Sequence, residues 1–209
     1  VPAPAEERIR LFVALPVPPE IREGLMTLRD RLAAADTAHA FRMVSLEGLH
    51  ITLKFIGEIE VSWLPNIKDR LSQVLEGRPP LELAVRGVGA FPKPERPRII
   101  WAGIAGDTEP LAELRKDVDR KMKKYKIKTE SYGHTPHITL ARRINKRVPE
   151  GADVFVPLLE ELKAVELGGW TAGTVILYQS QLQPTGAIYT PLATFPLRRP
   201  PPVRRIFTP

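Results

Sequence analysis

The sequence predicts an α+β protein made from a duplicated unit, and three observations carry that reading. The tetrapeptide His-Ile-Thr-Leu occurs twice, beginning at His50 and again at His137, although the whole chain has only 4 His. Short runs rich in β-branched residues alternate with amphipathic helical stretches. Similar strand–helix–motif units fill both halves, and no linker of the kind that separates independent domains lies between them. With 209 residues and 43% hydrophobic content, the chain can bury one substantial core, and disorder throughout is excluded.

Each element has a local cause. Residues 9–15 are β-branched and aromatic and stop at Pro16, as a strand does. Pro18-Pro19-Glu20 opens a helix to about residue 35, with Pro in the first turn and Ile21, Leu25, Leu28 and Leu32 spaced three or four apart. A short extended piece at 41–44 and a turn at 45–48 lead into the first motif strand, 50–55, which Gly57 is expected to end. Residues 63–75 read as a second helix, with Leu64, Ile67, Leu71 and Val74 on one stripe. Strands follow at 81–88 and 98–104, separated by a loop rich in Pro and charge. A third amphipathic helix spans 108–124, and strands are expected at 137–141, near 164–167, at 174–179 and at 188–197. Residues 9–198 form the expected single domain, with 1–8 an extension and 199–209 a basic, Pro-rich tail.

A net charge of +7, from 31 Lys+Arg against 24 Asp+Glu, raises the expectation of a polyanionic partner without naming one. The basic stretch 121–128 reads first as a solvated helix end, favoured by the macrodipole, with contact to nucleic acid the secondary reading. With 0 Cys there is no disulfide framework and no thiolate metal site. No apolar run reaches the roughly 20 residues that span a bilayer, and the acidic, Pro-rich start does not resemble a signal peptide. A cytoplasmic protein with no membrane partner is the expectation.

The chemistry is carried by the two repeated words. In a half-buried strand alternate side chains share a face, so His50 goes with Thr52 and His137 with Thr139, while Ile51, Leu53, Ile138 and Leu140 face a core. Two imidazoles on opposite walls of a cleft could serve as acid and base, because their ordinary pKa of about 6.5 lets both protonation states exist near neutrality. The threonine hydroxyls could donate to a phosphoryl oxygen and Arg142 could hold another. Strict alternation, however, turns Arg142 away from His137 unless the strand ends or bulges after Leu140 or the long side chain reaches round the edge. Alternation also sets Lys54 on the His50 face. Zinc is the competing reading of paired histidines, but there is no His-Glu-x-x-His and no acidic residue in either tetrapeptide. His134 reads as a loop residue near the cleft, His39 has no partner signal, and Phe12 and Tyr132 could stack on a base, with core packing the commoner fate of Phe12.

Beyond the tetrapeptides, several blocks occur in order. They are Arg10-Leu11-Phe12-Val13-Ala14-Leu15 with Pro18-Pro19-Glu20, Leu49-His50-Ile51-Thr52-Leu53-Lys54-Phe55-Ile56-Gly57-Glu58, Arg98-Ile99-Ile100-Trp101-Ala102-Gly103, Pro136-His137-Ile138-Thr139-Leu140-Ala141-Arg142, Leu177-Tyr178-Gln179-Ser180 and Gly186-Ala187-Ile188-Tyr189. Together they resemble the 2H phosphoesterase superfamily, and within it the bacterial and archaeal RNA 2′,3′-cyclic phosphodiesterases also called 2′-5′ RNA ligases.

The resemblance implies a bilobal fold with a pseudo-two-fold axis, two antiparallel sheets facing a central cleft and helices outside. It implies a reaction without metal or other cofactor: hydrolysis of an RNA 2′,3′-cyclic phosphate to a 2′-phosphomonoester, with 2′-5′ ligation as a reverse activity in some members. His50 and His137 would be the catalytic pair, with Thr52, Thr139 and Arg142 binding substrate. The expected partner is RNA ending in a cyclic phosphate, tRNA fragments among the candidates, acted on by a monomer. Two other readings stand beside it. One is a noncatalytic module that binds RNA ends; the other is the same chemistry on small cyclic nucleotides or ADP-ribose cyclic phosphate.

Overall fold

The computed structural model describes residues 7–123, 127, 135–144, 155–184 and 186–198. The strands in chain order are β1 (Arg8–Pro16), β2 (Phe41–Met43), β3 (His50–Glu60), β4 (Leu81–Phe91), β5 (Ile99–Gly106), β6 (His137–Arg143), β7 (Glu166–Ala172), β8 (Thr174–Gln183) and β9 (Gly186–Pro196). The helices are α1 (Pro19–Ala35), α2 (Leu64–Leu75), α3 (Thr108–Met122) and α4 (Phe155–Glu161). The short α4 has no counterpart in the sequence reading. His134, Tyr132, the basic stretch beyond residue 123 and the tail lie outside the described residues, apart from Ile127. No helix among the described residues is long and apolar enough to cross a membrane.

All described strand pairings are antiparallel, and the sheet runs β7-β4-β5-β6-β3-β1-β8-β9, with β2 added beside β6. The two expected sheets are therefore the two arms of one curled sheet. At the join Ile51 lies opposite Ile138, the second residue of each repeated word. An antiparallel pair has a local two-fold axis through it. That axis relates β3 to β6, β1 to β5 and β8 to β4, so the arms read outward in matching order.

The duplicated units interlock. The first ends in β4, which pairs with β5 of the second, and the second returns through β8 to pair with β1 of the first. Helices cross over as well: α1 packs on β6 and β7, whereas α3 packs on β3. These exchanged contacts explain why no linker separates the halves.

The helices bury the stripes that helical spacing anticipates: Ile21, Leu25, Leu28 and Leu32 on α1, and Ile67, Leu71 and Val74 on α2. On α3 the stripe is Leu111, Leu114, Val118 and Met122. They join Ile51, Leu53, Ile138 and Leu140 from the motif strands in one core, and this leaves the opposite face of β3 and β6 to the histidines.

Two features of β3 depart from the sequence reading. The strand continues past Gly57 to Glu60, because Gly57 adopts φ +85° at an irregularity where Leu11 faces Gly57 but Phe12 faces Phe55. A side chain would strain that conformation, while glycine accepts it. The second departure, a bulge at Leu53, shapes the site.

Candidate active site

Both motif strands carry a bulge at the same place. Val13 pairs with Lys54 and Ala14 with Thr52, so Leu53 is the extra residue; Ile100 pairs with Ala141 and Trp101 with Thr139, so Leu140 is the extra one. An inserted residue reverses the alternation beyond it. Leu53 and Lys54 consequently both turn inward, as do Leu140 and Ala141, while the next residue returns to the histidine face. That next residue is Arg142 after the second word and Phe55 after the first. The bulge thus brings Arg142 to the same side as Thr139, and its Nη2 donates to Thr139 Oγ1 at 3.3 Å.

The bulge also overturns the expectation for Lys54. It lies on the core side, 2% exposed, and its Nζ contacts Asp119 Oδ1 of α3 at 2.5 Å. Lys54 therefore ties the first motif strand to α3 instead of charging the cleft.

The two imidazoles are held alike. His50 Nδ1 lies 2.8 Å from the Gly48 carbonyl oxygen, and His137 Nδ1 lies 2.8 Å from the Thr135 carbonyl oxygen. A carbonyl can only accept, so each neutral ring carries its proton on Nδ1 and leaves Nε2 with a lone pair. Extending the Ile51–Ile138 register by one residue sets His50 across from Thr139 and His137 across from Thr52. The histidines therefore flank the residue pair that joins β3 to β6, one on each strand.

Their surroundings differ. His50 rests in an aromatic nest of Phe12 at 4.8 Å and Tyr189 at 5.4 Å, measured between ring centres, with Tyr178 stacked on Phe12 at 5.1 Å. Burial pushes its pKa down to about 4; the Gly48 carbonyl opposes that shift, and the charges of Arg142 and His137 add to it. Arg142 is itself lowered by burial and raised by Tyr189, and Tyr178 is raised by burial and lowered by Arg22. His137 instead meets Phe91 edge-on at 5.1 Å, with Trp101 behind it at 6.2 Å. The Trp101 ring is seated on Gly89, where an added Cβ would come within 2.5 Å of it.

Phe12 is buried, as expected, but on the cleft face and not in the main core. Sequence reasoning assigned no role to Tyr178, Tyr189, Phe91 or Trp101. For Tyr178, Tyr189 and Trp101 the available signal was their place in the blocks that carry the family resemblance, and register was needed to aim them. Among the described residues no group of three or more His, Asp or Glu converges as metal ligands would.

A family model described as LigT like Phosphoesterase matches residues 15–101 and 104–189, one motif in each segment. The chain belongs to the LigT-like phosphoesterase family. Relatives of this family member include the RNA 2′,3′-cyclic phosphodiesterase of Methanothermobacter thermautotrophicus, 32% identical over 91% of this chain and 100% of the relative. The protein of the same name from Aeropyrum pernix is 37% identical over 80% of this chain and 92% of its own length. Among solved structures, TT0787 of Thermus thermophilus is similar with a TM-score of 0.72 and 27% identity, covering 91% of this chain and 99% of that one. The family confirms an enzyme of the 2H phosphoesterase type and the curled α+β fold.

Proposed function

We propose that this family member hydrolyses the 2′,3′-cyclic phosphate at an RNA end to a 2′-phosphomonoester, by acid–base catalysis at two histidines and without metal. The observation that carries the reading is the pair of Nδ1-anchored imidazoles that flank the Ile51–Ile138 pair, one on each strand, with Arg142 brought to the Thr139 side by the bulge. The names of the relatives supply the substrate class.

In the proposed step, His137 Nε2 takes a proton from water as the water oxygen bonds to phosphorus. The bond from phosphorus to the ribose 3′-oxygen breaks, and His50 delivers a proton to that oxygen. The products are a 2′-phosphate and a free 3′-hydroxyl, and the two rings exchange protonation states, which solvent restores. Arg142, Thr139 and Thr52 hold the non-bridging oxygens and stabilise charge that accumulates there. Reversal of these transfers is the route to 2′-5′ joining.

His50 is neutral at pH 7, because burial and the Arg142 charge disfavour its cation. Its acid role therefore requires uptake of a proton with the anionic substrate, which offsets Arg142. The same lowered pKa favours the opposite assignment, His50 as base. A cyclic diester with sulfur in place of the 3′-oxygen separates the two, since thiolate leaves without protonation. Rescue of His50→Ala but not His137→Ala on that substrate supports His50 as the acid, and the reverse pattern inverts the roles.

The primary test is product analysis on an oligonucleotide ending in a 2′,3′-cyclic phosphate, with chelator present. A 2′-phosphate is expected, and replacing either histidine by Ala should lower turnover by about 10²–10⁴. A 3′-phosphate, or activity abolished by chelator, refutes the reading. Binding without turnover would instead favour a noncatalytic RNA-end module.

A further inference from the structure

The space beside the histidines is larger than one cyclic phosphate requires. A cavity of about 610 Å³ shares Phe12, Arg142 and Tyr189 with the site and continues past Arg10, Arg42 and Arg143. Its volume lies in the range of roughly 300–1,000 Å³ that ligands of small-molecule size fill. No Asp or Glu is among the described residues lining it, whereas Arg10, Arg42 and Arg142 are, with Arg42 directly across from Arg142 in the β2–β6 pairing.

A second observation is independent of charge. The large apolar side chains that stand exposed among the described residues are Phe55 at 41%, Ile144 at 50%, Leu182 at 68% and Ile188 at 47%. All four line this one cavity. Exposed apolar residues are ordinarily scattered singly, and their collection in one place marks a surface built to be covered. Cationic groups interleaved with apolar platforms suit a polymer of alternating phosphates and flat bases: guanidinium groups take the backbone, and apolar faces take the rings.

We infer that this cavity holds the one or two nucleotides on the 5′ side of the cyclic phosphate. The enzyme would then select an oligonucleotide end over a cyclic mononucleotide. The inference rests on the reading of the reaction given above. A 2′,3′-cyclic phosphate is necessarily at the 3′ end of its strand, so the remaining chain leaves through the 5′-oxygen of the terminal ribose. Arg142 faces the reacting phosphate, which leaves Arg10 and Arg42 for the internal phosphodiesters. Arg42 is already held in place, its Nη2 donating to the Pro184 carbonyl at 2.8 Å. Phe55, which occupies on the first wall the position that Arg142 has on the second, offers a ring to a base.

The experiment compares kcat/KM on a nucleoside 2′,3′-cyclic phosphate with that on di- and trinucleotides bearing the same end, for the wild type and for Arg10→Gln combined with Ile188→Ser. One stacked base is worth about 1–3 kcal/mol, so the wild type should gain about tenfold or more with length, mainly through a lower KM. The double variant should lose most of that gain while turning over the cyclic mononucleotide within about twofold of wild type. Added salt should raise KM more for the trinucleotide than for the mononucleotide, because more phosphates are in contact.

Equal wild-type kcat/KM at all lengths overturns the inference and leaves the reaction standing. An equal loss by the variant on mononucleotide and trinucleotide also overturns it, by showing that the cavity holds the terminal base. Failure of the wild type to hydrolyse any of the substrates would overturn the reaction itself, and the inference with it.

Discussion

The depressed pKa of His50 should make the stability of the fold depend on pH in a way that one substitution removes. Burial lowers this ring from its ordinary value to about 4, whereas in the unfolded chain it titrates near 6.5. The fold thus favours the neutral form. Its contribution is complete above about pH 6.5 and declines as pH falls toward about 4, because the unfolded chain then binds a proton that the folded one resists. Between about pH 7.5 and pH 5 the linkage amounts to roughly 2 kcal/mol, or about 1 M in urea midpoint at an m-value near 2 kcal/mol/M. His50→Asn keeps a donor for the Gly48 carbonyl but cannot titrate. Urea unfolding of both proteins at the two pH values separates this effect from every other acid-sensitive group, since the others are common to both. The wild type should lose about 2 kcal/mol more than the variant. Parallel losses would refute the claim that burial and Arg142 hold His50 neutral.

The Lys54–Asp119 pair can be tested by removing one partner: Lys54→Met should cost about 3–5 kcal/mol by leaving Asp119 without its cation, and Lys54→Met with Asp119→Leu should recover much of that in thermal unfolding. Gly89→Ala forces a Cβ toward the Trp101 ring, so a loss of about 1–3 kcal/mol and a changed tryptophan emission are expected. Arg142→Lys keeps the charge but gives up the planar fork that reaches Thr139 and, under the proposed function, a phosphoryl oxygen as well, and kcat should fall by about tenfold or more with little change in stability.

Helices and motif faces were legible because their periodicities are local. The stripes of α1 and α2 emerged nearly residue for residue, and His50, Thr52, His137 and Thr139 share the face that alternation assigns them. The bulge at Leu53 was not legible, and the one at Leu140 entered only as one way to bring Arg142 to the His137 face. Nothing in Leu53-Lys54 or Leu140-Ala141 marks an extra residue, since both strands insert an ordinary side chain with neither Gly nor Pro. That single hidden step accounts for the misplacement of Lys54 and resolves the apparent conflict over Arg142. The aromatic nest was obscured for another reason. β1 is buried on both faces, so its continuous apolar run gives no clue that Phe12 belongs with His50 while Leu11 and Val13 belong with the core. The exchange of strands between units was equally hidden, because pairing partners far apart in sequence leave no periodic trace.

The axis through Ile51 and Ile138 has a consequence for direction. A perfectly symmetric cleft, such as two identical half-length chains would make, presents the same wall to both sides of a ligand and has no means of preferring one orientation over its reverse. In the single chain the walls differ, among other places, at the residue that follows each bulge, Phe55 on one wall and Arg142 on the other. The vector between those two side chains gives the cleft a head and a tail. Under the proposed function, a linear strand bound there would be read in one sense, its polarity distinguished by the walls' departure from an exact two-fold repeat.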